Sequence, residues 1–224
     1  ASNRANIDAS LNVLIAARDA GVKRVVYAGS SSAYGDTPVL PKHEDMPPNP
    51  LSPYALQKLV AEQYCSLFTR LYGLETVTIR YFNVFGPRQD PSSPYSGVIS
   101  VFATALLENR PPTIYGDGEQ TRDFTYVADA VAATIAAGDR GVPGRAYNVG
   151  GGSRVSMNQV IEIIGRIAGR PLDVRREPAQ KGDMRDTYAD TSLAKADLGF
   201  APRVSLEEGI EAEYRWLSTT PAIA

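Results

Sequence analysis

"KRVVYAGSSSAYG", residues 23–35, decides the architecture of this 224-residue chain. It opens as a short run rich in β-branched and aromatic residues, Val25, Val26 and Tyr27, and ends in Gly29-Ser30. A strand buried on both faces reads this way, as a continuous apolar run. Upstream, residues 5–20 place Ile7, Leu11, Leu14 and Ile15 at helical spacing, and Gly21 stops them. Downstream, a Pro-rich loop over residues 35–50 leads to "SPYALQK", residues 52–58. There Ser52 caps a new helix and Pro53 takes its first position, where a missing N–H costs nothing. That helix runs to Tyr72, with Gly73 as its C-terminal stop. "LETVTIRYFNVFG", residues 74–86, is a second buried strand running into a loop. Helix, strand, helix, strand is the order of a parallel, doubly wound sheet.

The texture changes after Gly86. "GPRQDPSSPYSG" is a loop. A helix is expected over 97–109, a short strand at "PPTIYG" (111–116), a helix near 127–138 and a strand at "RAYNVG" (145–150). An amphipathic helix follows at 156–168, carrying Val160, Ile161, Ile164 and Ile167 on one face. After "PLDVRRE" (171–177) the chain closes with a helix near 205–217. These smaller units suit a substrate-binding lobe added to the sheet.

Composition narrows the function. The chain is 43% hydrophobic and 21% charged, as an ordinary globular protein is. A net charge of -2 argues against a nucleic-acid surface, which needs a basic stripe. One cysteine, Cys65, and one histidine, His43, leave no disulfide framework and no multi-histidine metal site. No signal peptide is visible, and no apolar run approaches the roughly 18 residues that would span a membrane. A cytoplasmic enzyme or binding protein with no membrane partner is the expectation.

A doubly wound domain that binds a dinucleotide opens with a strand and a glycine-rich turn. Here the first residues already read as a helix. The glycine cluster in "NVGGGS", residues 148–153, lies far downstream and lacks the G-x-G-x-x-G spacing. It reads as a loop that lets a strand turn into the 156–168 helix rather than as a phosphate cradle.

The chemistry gathers elsewhere. Tyr54 and Lys58 sit one helical turn apart and point the same way. An ammonium beside a phenol favours the phenolate and makes it a general base for a hydroxyl. By chance alone, roughly 0.3 Tyr/Lys pairs at this spacing would occur in a chain this long, so the spacing is weak by itself. Context strengthens it. Ser30, Ser31 and Ser32 end the first strand, Asn83 ends the second, and strand carboxyl ends face the ligand in such sheets. Three successive elements thus bring Ser, Tyr/Lys and Asn to one rim.

At this point the sequence resembles the extended short-chain dehydrogenase/reductase family, and within it the NAD-dependent nucleotide-sugar epimerases and dehydratases. The matching stretches are "SSSAYG", "SPYALQK", "IRYFNVFGP", "IYGDGEQTRDFTYVADA", "YNVGGG" and "GDMRDTYAD", in family order across nearly the whole chain. The family's glycine-rich first segment is not among them. The resemblance implies an α/β fold: the C-terminal part of a doubly wound, Rossmann-type sheet with a smaller substrate-binding lobe. Residues 1–86 would be a partial NAD-binding domain. Residues 87–224 would be mainly the nucleotide-sugar lobe, with some segments returning to the sheet.

By the same resemblance, Tyr54 is the catalytic base, Lys58 its partner and a ligand of the nicotinamide ribose, and Ser30 the catalytic serine. Asn6 and Phe82 would meet the NAD cofactor. Ser31, Ser32 and Asn83 would meet the sugar nucleotide, and Thr113, Ile114 and Tyr115 would lie along uracil. Arg122 would bind the diphosphate, as suits a guanidinium fork. Val98, Asn148, Asp183 and Arg185 are further nucleotide-site candidates. Thr187 would stand beside the sugar's C2 substituent, where a small residue admits an N-acetyl group.

Ser31-Ser32-Ala33 carries no acid where the family's dehydratases and decarboxylases do, which favours simple 4-epimerisation. The expected substrate is a UDP-sugar, UDP-N-acetylglucosamine or UDP-glucose, with UDP-glucuronate as the alternative. A homodimer through helices 5–20 and 53–72 is implied. Two other readings compete: a nucleotide-sugar-binding fragment that is catalytically incomplete, and an oxidoreductase acting on a small alcohol. "IYGDGEQTRDF" weighs against the second, because a small alcohol needs no diphosphate site.

Overall fold

The computed structural model describes residues 2–93, 96–179 and 184–219. A π turn (Arg4–Asp8) enters α1 (Ala9–Asp19), followed by β1 (Arg24–Ser30), a 3-10 turn (Ser31–Tyr34), α2 (Pro53–Tyr72) and β2 (Glu75–Tyr81). Next come β3 (Val84–Phe85), α3 (Val98–Leu107), β4 (Thr113–Tyr115), β5 (Thr121–Arg122), β6 (Thr125–Tyr126) and α4 (Val127–Arg140). The chain ends with β7 (Ala146–Val149), β8 (Val155–Ser156), α5 (Met157–Ala168), β9 (Arg175–Glu177), α6 (Ser192–Leu198) and α7 (Leu206–Thr219).

β1, β2 and β7 form a parallel sheet in that order. The pairing runs from Arg24 opposite Glu75 to Ser30 opposite Tyr81, and Tyr81 meets Val149, so three carboxyl ends finish level. The side-chain period of two sends Val25 and Tyr27 toward α1 and α2, into a core with Leu14, Cys65 and Phe68. Val26, Val77 and Ile79 face the other way, toward Ala133 and Ala137 of α4 and Ala194 and Leu198 of α6. Helices on both faces make the doubly wound arrangement the sequence predicts. The helix over 192–198 has no counterpart in the sequence reading. α4, β7 and α6 all come from the second half, which therefore returns to the sheet.

The local signals of α2 hold as read. The Ser52 hydroxyl accepts from the Ala55 amide at 3.1 Å, and Gly73 ends the helix at φ +70°, a conformation that suits glycine. A second core joins α3, α5 and α7 around Phe85, Ile99, Phe102, Ile114, Phe124, Val160, Ile164 and Ile210. This is the smaller lobe. Its small pairs β3–β6, β4–β9 and β5–β8 hold loops rather than build a continuous sheet. Among the described residues no helix is long and apolar enough to cross a membrane, and no group of three or more His, Cys, Asp or Glu side chains could hold a metal ion.

Candidate active site

Between the carboxyl ends of the sheet and the smaller lobe lies a cavity of about 640 Å³. The sheet side presents Ser30, Ser31 and Ser32 after β1, Tyr54 and Lys58 from α2, and Asn83 after β2. The lobe side presents Val98, Thr113, Ile114, Tyr115 and Arg122. Eleven of the residues singled out from sequence thus share one space.

The serines are held by a turn. The Ser30 hydroxyl accepts from the Ser32 amide at 3.2 Å and lies 2.8 Å from the Ser32 hydroxyl, which caps the 3-10 turn and fixes both side chains. Lys58 is half-buried. Its ammonium donates to the Ala28 carbonyl at 3.0 Å and sits 5.4 Å from the Tyr27 ring centroid and 6.0 Å from that of Tyr54. Burial draws the lysine's pKa below its ordinary value of 10.5. Tyr54 is 39% exposed, so its ring stands at the cavity wall rather than in the core.

Asn83 adopts φ +32°, uncommon for a residue with a side chain. Its amide nitrogen donates to the Asp123 carbonyl at 2.8 Å and to the Thr187 hydroxyl at 3.4 Å, bonds that offset the backbone cost. Arg122 arrives on β5, paired antiparallel with β8, and donates to the carbonyls of Thr121 at 2.9 Å and Arg185 at 3.3 Å.

Other candidates lie outside the cavity wall. Asn6 donates to Gln57 Oε1 at 2.9 Å. Phe82 is fully buried; its amide donates to Val149 and its carbonyl accepts from Thr125. Asn148 is fully buried, accepting from the Tyr34 hydroxyl at 2.7 Å and donating to the Lys42 carbonyl at 2.9 Å. Arg185 points outward into an ion pair with Asp117 at 2.8 Å. Thr187 is 2% exposed and stands behind Asn83. Asp183 lies outside the described residues.

The cavity also uses residues that sequence reasoning passed over: Gln89, Phe102, Gln120, Phe124, Met157 and Met184. Phe102, Phe124 and Met157 double as lobe core, so hydrophobic patterning marks them only as buried. The side-chain nitrogens of Gln89 and Gln120 donate to the carbonyls of Val84 and Tyr115. Their amide oxygens have no partner among the described residues.

The family model described as NAD dependent epimerase/dehydratase matches residues 2–150. A UDP-glucose 4-epimerase of Mycolicibacterium smegmatis is 40% identical over 206 residues, 92% of this chain and 66% of the relative. A UDP-N-acetylglucosamine 4-epimerase of Methanobrevibacter ruminantium M1, solved with UDP-N-acetylmuramic acid, superposes with a TM-score of 0.91. It is 40% identical, with 96% of this chain and 69% of that one covered. A UDP-glucuronic acid 4-epimerase of Bacillus cereus, solved with UDP-glucuronic acid and NAD, has a TM-score of 0.89 and 34% identity, covering 95% of this chain and 67% of that one. The chain spans about two thirds of the length of the curated relatives it matches.

Proposed function

The chain belongs to the NAD dependent epimerase/dehydratase family, and on that footing we propose that the whole protein carries out NAD-dependent 4-epimerisation of a UDP-sugar. The observation that carries this reading is the placement of Tyr54 and Lys58. They stand one turn apart where parallel strands end, facing a cavity whose opposite wall bears Arg122.

The donor set fits the cofactor. An ammonium, a phenol and serine hydroxyls converge at the open ends of β1 and β2, and these groups suit ribose and sugar hydroxyls beside a nicotinamide. Tyr54, Lys58 and Ser30 would hold that part of it. When bound, NAD supplies reversible hydride exchange at C4 of the sugar.

The chain's own residues do the rest. Tyr54 takes the proton of the 4-hydroxyl and later returns it, so the phenol ends as it began. The Lys58 ammonium stands beside the ring through both events, its nitrogen 6.0 Å from the Tyr54 centroid. Serine hydroxyls at positions 30–32 hold the sugar oxygens. Arg122 offers a cation to the diphosphate, and the apolar wall of Phe102, Ile114, Phe124 and Met157 suits a flat base.

Lys58 and Arg122 are the cations among the described residues of the cavity wall, and Lys58 is committed to the Ala28 carbonyl. With Arg122 assigned to the diphosphate, the serine hydroxyls at 30–32 are the donors left for a sugar substituent, neutral or acidic. UDP-N-acetylglucosamine and UDP-glucose are the proposed substrates, with UDP-glucuronate as the alternative. The test is incubation of the whole protein with each sugar nucleotide and NAD. Interconversion of the C4 epimers without net reduction of NAD supports the reading. Net reduction, or no turnover of any of the three, counts against it.

A further inference from the structure

Asp123 is fully buried between two cavity residues, Arg122 and Phe124, yet its side chain touches no ligand space. Its carboxylate oxygens accept from the Gly151 amide at 2.7 Å and the Ala189 amide at 3.0 Å, with the amides of Gly152 and Ser153 adding to the same cluster. Its peptide nitrogen donates to the Thr187 hydroxyl at 3.3 Å, and its carbonyl accepts from the Asn83 side chain at 2.8 Å. One residue thus joins the β5–β6 segment, the loop after β7, the 187–190 segment and the cavity-facing asparagine.

The glycine cluster of "NVGGGS" is explained by this junction. A Cβ on Gly150 would lie 2.5 Å from Asp123 Oδ2, and one on Gly151 would lie 1.8 Å from the Phe124 carbonyl oxygen. Side chains are excluded because the loop backbone closes on Asp123, not because a phosphate approaches it.

We propose that Asp123 is a positioning residue for the nucleotide-sugar cavity: its buried carboxylate docks the 150–153 loop and the 187–190 segment, and its peptide sets the Asn83 amide beside Arg122. The ligand's identity rests on the function proposed above; the positioning does not.

Burial raises the Asp123 carboxyl to about 6, against the pull of the backbone amides that favour its charge. The charged neighbours on the joined segments are engaged elsewhere. Arg122 donates to backbone carbonyls, Asp186 pairs with Thr121 and Arg154, Asp190 accepts from the Ser192 amide, and Arg185 pairs with Asp117. Protonation near pH 6 removes the charge that gathers these amides.

The test is a pH titration of the chain by amide NMR with parallel calorimetry against UDP-glucose. That ligand is esterified at both ends of its diphosphate, so its own charge is constant between pH 5 and pH 8, a range set by about one unit or more on each side of the Asp123 midpoint. The Asn83 side-chain signals should move with those of Gly151 and Ala189. UDP-glucose affinity should fall about tenfold from pH 7.5 to pH 5, and Asp123→Asn should bind about tenfold more weakly at pH 7.5 with a flat profile.

Asn83 signals that stay still while Gly151 and Ala189 titrate would overturn the proposal, as would wild-type affinity in Asp123→Asn. If that variant does not fold, the wild-type titration decides alone. If UDP-glucose does not bind at any pH but Asn83 titrates with the loop, the positioning stands and UDP-glucose falls as a ligand of this chain's cavity.

Discussion

Arg80 of β2 and Glu62 of α2 close a two-pronged ion pair, Nη2 to Oε1 at 2.6 Å and Nε to Oε2 at 3.0 Å, with each side chain 8% exposed. The same guanidinium donates to the Tyr34 hydroxyl at 2.7 Å, and that hydroxyl donates to Asn148 Oδ1. Four segments are thereby tied together behind the serine turn. Removing one partner leaves a desolvated charge, so Glu62→Ala should cost about 3–5 kcal/mol of stability. The double variant Arg80→Met/Glu62→Leu should recover most of that loss. Urea unfolding of the three proteins checks both statements, and a double variant as unstable as the single one refutes the second.

This network marks where the sequence stops being legible. The strands, the caps at Ser52 and Gly73, and the convergence of Ser30, Tyr54, Lys58 and Asn83 follow from local pattern and from where parallel strands end. Asn148 does not. An asparagine at a strand's end looks the same whether it meets a ligand or a buried tyrosine, and here Tyr34, more than a hundred positions away, claims it. Thr76 and Arg80 lie in a strand that reads as apolar, and their partners Cys65 and Glu62 come from a helix one element earlier. α6 escapes because seven residues span too few turns to show a period. Gln89 and Gln120 escape because neither composition nor spacing says that a glutamine will reach a cavity wall.

Thr187 supplies a second prediction. Its hydroxyl accepts from the Asn83 side chain and the Asp123 amide, and the residue is 2% exposed. Thr187→Val keeps the shape and removes the acceptor. UDP-sugar affinity should weaken about fivefold, in line with a lost hydrogen bond of about 1 kcal/mol. Thr187→Ser should restore it. Thr187→Tyr needs volume that Asn83 occupies, so it should push Asn83 into the cavity and lower turnover of UDP-N-acetylglucosamine more than that of UDP-glucose in the whole protein. An unchanged ratio of the two rates argues against any role for this position in sugar choice.

Proton transfer gives the third. Tyr54→Phe removes the phenol and leaves the ring, so kcat in the whole protein should fall about 10²–10⁴-fold while UDP-sugar affinity holds. Lys58 is proposed to act as an ammonium beside Tyr54, and burial lowers its pKa. Activity should therefore fall on the alkaline side as Lys58 loses its proton. Lys58→Arg, which keeps its charge above pH 12, should move that limb upward. A limb that stays in place in Lys58→Arg belongs to another group.

Glu213 of α7 gives the last. It is fully buried, and neither carboxyl oxygen has a well-formed hydrogen bond among the described residues, although the Gly86 amide partly offsets the burial. Burial raises its pKa from 4.5 to about 8. In the folded protein it thus keeps a proton that the unfolded chain releases. Its contribution is intact below pH 4.5 and is lost as pH rises through 8. Glu213→Met removes the titration and fills the same space. At pH 8 it should be more stable than wild type by about 1–3 kcal/mol, with a smaller advantage at pH 5. Melting curves at the two pH values read the difference directly. An advantage of equal size at both would mean that Glu213 does not exchange its proton on unfolding in this range, and that its burial is tolerated by contacts other than its own protonation.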